Sequence, residues 1–243
     1  MVIEMDLKTA IDLDGFAVIE NVLSRGEIVD LLRALEQVPD ASSLRKRSAI
    51  FAMRNLLDIV PEVRKLACSP KVNDLLKPIL GEHFFPVRGI LFDKIPDANW
   101  KVPWHQDVTI AVQTRTEAEG FGPWSMKAEV LHVQPPAPIL ESMISVRFHM
   151  DDCRADNGAL RTIPGSHRFG RIPESEISAF RAKSSERICE VDSGGVLLMR
   201  PLLLHASSPA LVPDHRRVIH IDFASAHLPA GMHWLYEPVA RRN

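Results

Sequence analysis

Phe84-Phe-Pro-Val-Arg-Gly-Ile-Leu-Phe-Asp-Lys-Ile95 is the stretch at which the texture of the chain changes. Its residue types favour a strand, and side chains alternate across a strand, so Arg88, Ile90, Phe92 and Lys94 fall on one face. Upstream, residues 1–82 read as mainly helical. Asp14-Gly15 is a turn signal and Phe16–Ile19 a short strand. Ser24-Arg-Gly-Glu27 matches a capping box, and Ile28, Leu31, Leu32 and Leu35 follow at helical spacing. Arg45-Lys46-Arg47 reads as a solvated loop and Ile50–Val60 as a further helix. Pro61 and Ser69-Pro70 open two more helices, the second stopping at Gly81. Downstream, residues 83–243 read as short extended runs separated by Pro, Gly and Asp-Asn turns. Met143–Met150, Ala159–Ile163, Gly195–Leu204 and Val218–Phe223 are the clearest. Such runs predict an antiparallel sandwich or barrel rather than β-α-β units. Within them, residues 108–141 form a long mixed stretch bearing Pro123, Pro135, Pro136 and Pro138, a candidate lid. The expectation is one domain over residues 1–243, mainly β with flanking helices.

Composition narrows the function. With 46% hydrophobic and 25% charged residues, the chain has the make-up of a globular protein with a substantial core. A net charge of −2 argues against nucleic acid or an anionic membrane as partner. No apolar run approaches the ~20 residues of a membrane helix. The first residues carry Glu4 and Asp6 and lack the pattern of a signal peptide. Cys68, Cys153 and Cys189 are scattered without CxxC spacing, which fits three ordinary thiols in a reducing cytoplasm.

The chemistry centres on His-x-Asp. Histidine and aspartate at i and i+2 on extended chain project to one side, and a distant histidine can complete three ligands on one face of an octahedral metal. The motif alone is weak, because three copies occur here: His105-Gln-Asp107, His149-Met-Asp151 and His220-Ile-Asp222. A working site also needs a later histidine and, beyond it, a cation for a cosubstrate carboxylate. His220 has only Arg241 and Arg242 beyond the later histidines. Both other pairs could use His205, which is followed by Arg216-Arg217. Spacing favours His105 and Asp107 only mildly.

Four features together resemble the phytanoyl-CoA dioxygenase family of Fe(II)/2-oxoglutarate-dependent oxygenases. Trp104-His-Gln-Asp107 resembles the family's iron-binding pair. Asp156-Asn-Gly-Ala-Leu-Arg-Thr-Ile-Pro-Gly-Ser-His167 resembles its mid-domain strand and loop. Leu204-His-Ala-Ser-Ser-Pro209 resembles its distal-histidine segment, and Arg216, eleven residues after His205, falls where the family places its 2-oxoglutarate arginine. The resemblance spans nearly the whole chain and implies a double-stranded β-helix, or jelly roll, with helices outside. It implies Fe(II) held by His105, Asp107 and His205, 2-oxoglutarate as cosubstrate, and O2. Related halogenases replace the carboxylate by a small residue, so Asp107 implies hydroxylation or another oxygenase outcome.

The remaining roles follow from these ligands. Arg216 is assigned to the far carboxylate of 2-oxoglutarate, because a guanidinium can pair with a carboxylate through two hydrogen bonds. Arg217 is the alternative, since adjacent strand residues face opposite ways. Ser207, two residues after His205, resembles a family position that bonds the same carboxylate; Lys94 is a candidate for a cosubstrate or substrate carboxylate, and Gln106, in the family pattern, for a hydrogen bond near the iron. Arg147, Arg161, Trp124 and His132 are candidate substrate contacts, with buried ion pairs and lid packing as the competing readings. Arg54-Asn55 is a candidate cover for the pocket mouth; His167 and the Asp156-Asn157-Gly158 turn read as structural. The substrate is expected to be a small molecule. Two further readings stand beside this one. A cupin-like metalloenzyme, an isomerase or cosubstrate-independent dioxygenase, would keep the three ligands without 2-oxoglutarate. A non-catalytic jelly-roll binding domain would need no metal.

Overall fold

The computed structural model describes residues 6–39, 44–46, 50–211 and 213–237. Glu4, Arg47, Arg241 and Arg242 of the sequence reading lie outside them. The chain starts with α1 (Leu7–Leu13), β1 (Phe16–Ile19) and α2 (Arg25–Glu36). The capping box is present at α2: Ser24 Oγ accepts from the Glu27 amide, and the Glu27 carboxylate accepts from the Ser24 amide at 2.8 Å. Two short strands follow, β2 (Leu44–Lys46) and β3 (Ile50–Arg54), then α3 (Leu56–Ile59), α4 (Pro61–Ala67) and α5 (Pro70–Leu80). Here the structure corrects two expectations. Arg45 and Lys46 lie in a strand rather than a loop, and the helix expected over 50–60 is β3 plus a single turn. Ala52, Met53 and Arg54 pair with Phe92, Leu91 and Ile90, so sheet formation overrides a local pattern compatible with either state.

From residue 85 the chain is mostly β. It runs through β4 (Phe85–Asp93), β5 (Val102–His105), β6 (Ile110–Val112), β7 (Trp124–Lys127), β8 (Val130–Val133), α6 (Ala137–Glu141) and β9 (Met143–His149). It continues through β10 (Leu160–Thr162), α7 (Ile177–Ala182), β11 (Arg187–Cys189), β12 (Val196–Met199), β13 (His205–Ser207) and β14 (Arg217–Ala224). Seven strands make one antiparallel sheet in the order β1-β12-β9-β14-β4-β3-β2. Four make a second, β11-β10-β13-β5. Side chains of both sheets line one cavity, the arrangement of a jelly-roll core with helices outside.

The seven-stranded sheet uses its two faces differently. Ile144, Val146 and Phe148 of β9 and Ile219, Ile221 and Phe223 of β14 bury against Leu31, Leu57, Val63 and Leu76 of the helices. The alternate residues, Arg147 and His220 among them, point to the cavity. Both faces are covered, so β9 is buried throughout and β14 from Val218 onward.

Residues 108–141, read from the sequence as a long mixed stretch, hold a sheet of their own, β6-β8-β7. Ile110, Val112, Val133 and Leu140 bury with Leu202, Leu228, Met232 and Trp234, which supplies the apolar support that turns this segment into strands. Val108, Thr109 and Lys127 border the cavity. No described helix is long and apolar enough to cross a membrane.

Candidate active site

Strand pairing brings the two histidines together. His105 ends β5 and is the direct partner of His205 at the start of β13. Their ring centroids are 4.3 Å apart. Each ring makes the same local bond: His105 Nδ1 lies 2.9 Å from the Pro103 carbonyl and His205 Nδ1 2.8 Å from the Leu203 carbonyl. A carbonyl can only accept, so Nδ1 carries the proton and each Nε2 is left facing the site. Both Nε2 atoms are 3.7 Å from Asp107, one from each carboxylate oxygen. The Asp107 amide donates to the Pro201 carbonyl at 2.9 Å, which anchors the carboxylate beyond the strand end. Among the described residues this is the one group of three such side chains whose ligand atoms lie within 4.8 Å of one another.

The electrostatics show a cation position. Burial alone would raise the Asp107 carboxyl, but the bond to His105 and the charge of both imidazoles hold it well below the ordinary range. Burial pushes His205 down to about 4. Burial also opposes charge on His105, yet the Asp107 carboxylate beside it raises that histidine overall. A proton on His105 therefore stands where a metal would bind, and two imidazoles with one carboxylate are a donor set suited to Fe(II). The metal must displace that proton, so affinity rises with pH and falls as pH drops through the His105 range. Fe(II) titrations from pH 8 to 5 should show this loss, setting in at a higher pH than an ordinary imidazole would give because Asp107 raises His105. Affinity unchanged down to pH 5 would contradict histidine ligation.

The triad opens into a cavity of about 410 Å³. Arg88, Ile90, Phe92 and Lys94, the face of β4 read from the sequence, all line it. At one end Lys94, fully buried, donates to Ser207 Oγ at 2.8 Å and to the Ser208 carbonyl. Ser207 Oγ donates in turn to the Gly158 carbonyl at 2.8 Å. Arg216 is 4% exposed and also bonds the Gly158 carbonyl, while its Nε has no partner. Burial and the neighbouring Arg216 push Lys94 down to about 7. Two buried cations and a hydroxyl without a carboxylate form a cradle for an anion. Arg217 faces away, bound to both carboxylate oxygens of Asp151 at 2.8 and 2.7 Å.

Gly158 is what lets this cradle close. Its φ is +88°, and a Cβ there would sit 2.8 Å from both Lys94 Nζ and the Ser208 carbonyl oxygen. Gly158→Ala should cost about 1–3 kcal/mol, from backbone strain plus the displaced lysine. Thermal unfolding checks this, at roughly 2–4 °C per kcal/mol for a chain of this size.

The other sequence candidates divide. Gln106 borders the cavity, but its amide is spent on backbone: it donates to the carbonyls of Gly170 and Leu202 at 2.9 and 2.6 Å and accepts from the Ile172 amide at 2.8 Å. These three bonds brace the loops behind the site. Arg161 is outside the cavity; it pairs with Glu186 at 3.3 Å and stacks on Trp104 at 5.4 Å. Trp124 packs in the cluster beneath the small sheet, with Arg115 over its ring. His132 lies in an adjoining recess and bonds the Val130 carbonyl. Arg147 does line the cavity, with its Nε unpartnered. Arg54 lines it as well.

The two competing His-x-Asp pairs are used differently. Asp222 accepts from Arg88 Nε and Ser145 Oγ, both at 2.6 Å, and lies 2.8 Å from His220 Nε2. His149 is buried with neither ring nitrogen bonded, and burial drives it well below its usual range. Sequence reasoning assigned no role to Arg88 or Lys127. Arg88 stood on the right face of β4, whereas nothing local marks Lys127.

The phytanoyl-CoA dioxygenase (PhyH) family model matches residues 11–218. A protein of Aspergillus calidoustus, iron/alpha-ketoglutarate-dependent dioxygenase ausU, is 27% identical over 240 residues, covering 92% of this chain and 72% of its own. Among solved structures, AviO1 from Streptomyces viridochromogenes Tue57 matches with a TM-score of 0.65 and 23% identity, over 91% of this chain and 93% of that one. EctD from S. alaskensis, solved with bound Fe, matches with a TM-score of 0.70 and 20% identity, over 89% of this chain and 74% of that one. The two structural likenesses carry the fold, and the family match covers most of the chain, triad and cradle included. The chain belongs to the phytanoyl-CoA dioxygenase family.

Proposed function

We propose that this protein is an Fe(II)- and 2-oxoglutarate-dependent oxygenase that hydroxylates a small molecule with O2, releasing succinate and CO2. One observation carries the reading: a three-donor metal site and a buried Lys94–Ser207–Arg216 cradle share a single cavity. His105 Nε2, His205 Nε2 and Asp107 would hold the iron, leaving other coordination positions for ligands. Arg216 and Lys94, positioned by Ser207 and the Gly158 carbonyl, would hold the far carboxylate of 2-oxoglutarate. Bound iron with its cosubstrate would supply the oxidising power, one oxygen atom of O2 ending in the product hydroxyl and the other in succinate. The chain's own part is to position and to keep water out, and Ile90, Phe92, Val102 and Leu160 give the cavity apolar wall for that.

A metalloenzyme working without 2-oxoglutarate would leave the cradle with no anion to bind. The relative's designation as an iron/alpha-ketoglutarate-dependent dioxygenase supports the same choice. Three free thiols are in keeping with a reducing cytoplasmic setting. Anaerobic addition of Fe(II) and then 2-oxoglutarate should develop a weak visible charge-transfer band. No band, together with no calorimetric binding of 2-oxoglutarate to the iron-loaded protein, would overturn the reading.

A further inference from the structure

The cavity has a second cationic end, distinct from the cradle. Arg88 on β4 and Lys94, the residue directly after β4, both line the cavity, six residues apart, which at about 3.3 Å per residue is roughly 20 Å of extended chain. Lys94 and Arg216 meet around Ser207 and the Gly158 carbonyl; Arg88 and Lys127 both bond Thr109, and Arg54, paired opposite Ile90, lines the same cavity. Arg88 is anchored by Asp222 at 2.6 Å. Lys127 is half-buried, and its ammonium has one named polar partner, Thr109 Oγ1 at 3.3 Å, with no carboxylate in ion-pair reach among the described residues.

The backbone holds Lys127 there. It ends β7, and the turn into β8 passes through Ala128 and Glu129, non-glycine residues at φ 48° and 63°. Asn55, next to Arg54, donates to the Ala128 carbonyl at 3.4 Å and so ties the hairpin turn to the end of β3. Two non-glycine residues in the left-handed region cost energy that the surrounding contacts must offset.

Charge completes the case. Among the described residues, and leaving Arg54 out of the tally, five cations line the cavity, Arg88, Lys94, Lys127, Arg147 and Arg216, against one lining carboxylate, Asp107. The two charges of Fe(II) and of the 2-oxoglutarate dianion cancel, and Asp222 behind Arg88 offsets one more. The loaded site stays positive, and buried uncompensated charge is costly. His132 in the adjoining recess registers the same field, pushed to about 4 by burial and then by Arg88, Lys127 and Arg54.

We propose that the Arg54–Arg88–Lys127 end binds an oxyanion of the substrate, a carboxylate or a phosphate, so that an anionic small molecule lies with its reacting C–H beside the iron. The inference rests on the oxygenase reading and names its substrate class. The test uses Co(II) in the three-donor site with saturating 2-oxoglutarate, and measures paramagnetic relaxation of inorganic phosphate and of acetate. At least one anion should show a saturable enhancement, cut fivefold or more by Lys127→Met and restored by Lys127→Arg. Which anion responds separates phosphate from carboxylate. No saturable enhancement with either anion, or one that Lys127→Met leaves unchanged, overturns the proposal. Calorimetry of 2-oxoglutarate on the same samples keeps the two readings apart: its binding should be unaltered by Lys127→Met, and its absence in the wild type would count against the oxygenase reading itself. A succinate-release screen in matched pairs, acid against methyl ester and phosphate monoester against parent alcohol, gives the second readout. Turnover should be confined to the anions, with KM raised at least tenfold in Lys127→Met; equal turnover of the neutral partners overturns the proposal.

Discussion

Replacing Asp107 with alanine is expected to abolish succinate release and to weaken Fe(II) binding by at least about 100-fold, the upper end of what loss of an outer-shell partner alone produces. Asp107 lies 3.7 Å from each imidazole Nε2 and is the one carboxylate of the triad. Among the described residues it is also the one carboxylate lining a cavity that six cationic side chains line. Without it, a dication would have to bind two imidazoles in a field already positive, so charge as well as ligand count opposes the metal. Asp151→Ala is the matched control from the rival His-x-Asp pair. It removes the bidentate partner of the half-exposed Arg217 and should cost on the order of 1 kcal/mol of stability, with metal stoichiometry unchanged. Iron titration and succinate release on both variants decide the matter. An Asp107→Ala protein that still takes up iron at wild-type affinity would remove this carboxylate from the metal site.

Much of this was legible before the fold was known, for reasons that differ residue by residue. β4, β9 and β14 show as strands because their residue types and flanking turns leave little choice. The cavity-facing side of β4 follows from alternation alone, and Arg88, Ile90, Phe92 and Lys94 do share that cavity. β3 was misread because a short apolar run such as Ile50-Phe-Ala-Met53 fits either period, and its pairing with Leu91 and Phe92 is a tertiary fact. The small sheet within residues 108–141 was hidden for the same reason: its apolar side is completed by Trp234 and Met232, about a hundred residues on. Three His-x-Asp pairs on strands could not be ranked by spacing, since what ranks them is a register. His105 meets His205 across β5 and β13, while His220 and Asp222 close on Arg88 and Ser145. Alternation allowed only one of Arg216 and Arg217 to face inward. The partner that draws Arg217 outward, Asp151, lies 66 residues away in sequence and left no local trace.

That choice sets up the second large effect. Arg216→Ala should raise the 2-oxoglutarate concentration needed for half-maximal turnover roughly 30-fold to several thousand-fold. The range corresponds to about 2–5 kcal/mol for truncating one partner of a buried, hydrogen-bonded charge pair. Arg216 is the buried member whose Nε is left unpartnered, and a dicarboxylate has the group that would satisfy it. Lys94 remains in the variant but is a weak substitute: burial and Arg216 hold it near 7, so near neutral pH it carries only part of a charge. Removing Arg216 lifts one of the three influences that depress Lys94, leaving burial and Arg147, so the lysine recovers charge and some 2-oxoglutarate binding returns. The residual affinity of Arg216→Ala should therefore be less sensitive to raising the pH from 7 to 8 than that of the wild type, whose Lys94 loses its proton over that interval. Arg217→Ala should leave 2-oxoglutarate affinity within about twofold and lower stability by about 1 kcal/mol, because its guanidinium serves Asp151 at the half-exposed edge. Arg216→Lys separates charge from geometry: an ammonium cannot reproduce the two-pronged pairing of a guanidinium, so affinity should recover only partly. Calorimetry with Fe(II)-loaded protein under anaerobic conditions measures all three variants. Equal 2-oxoglutarate affinity in wild type and Arg216→Ala would show that the cradle binds something else, and would move the protein toward metal chemistry without this cosubstrate.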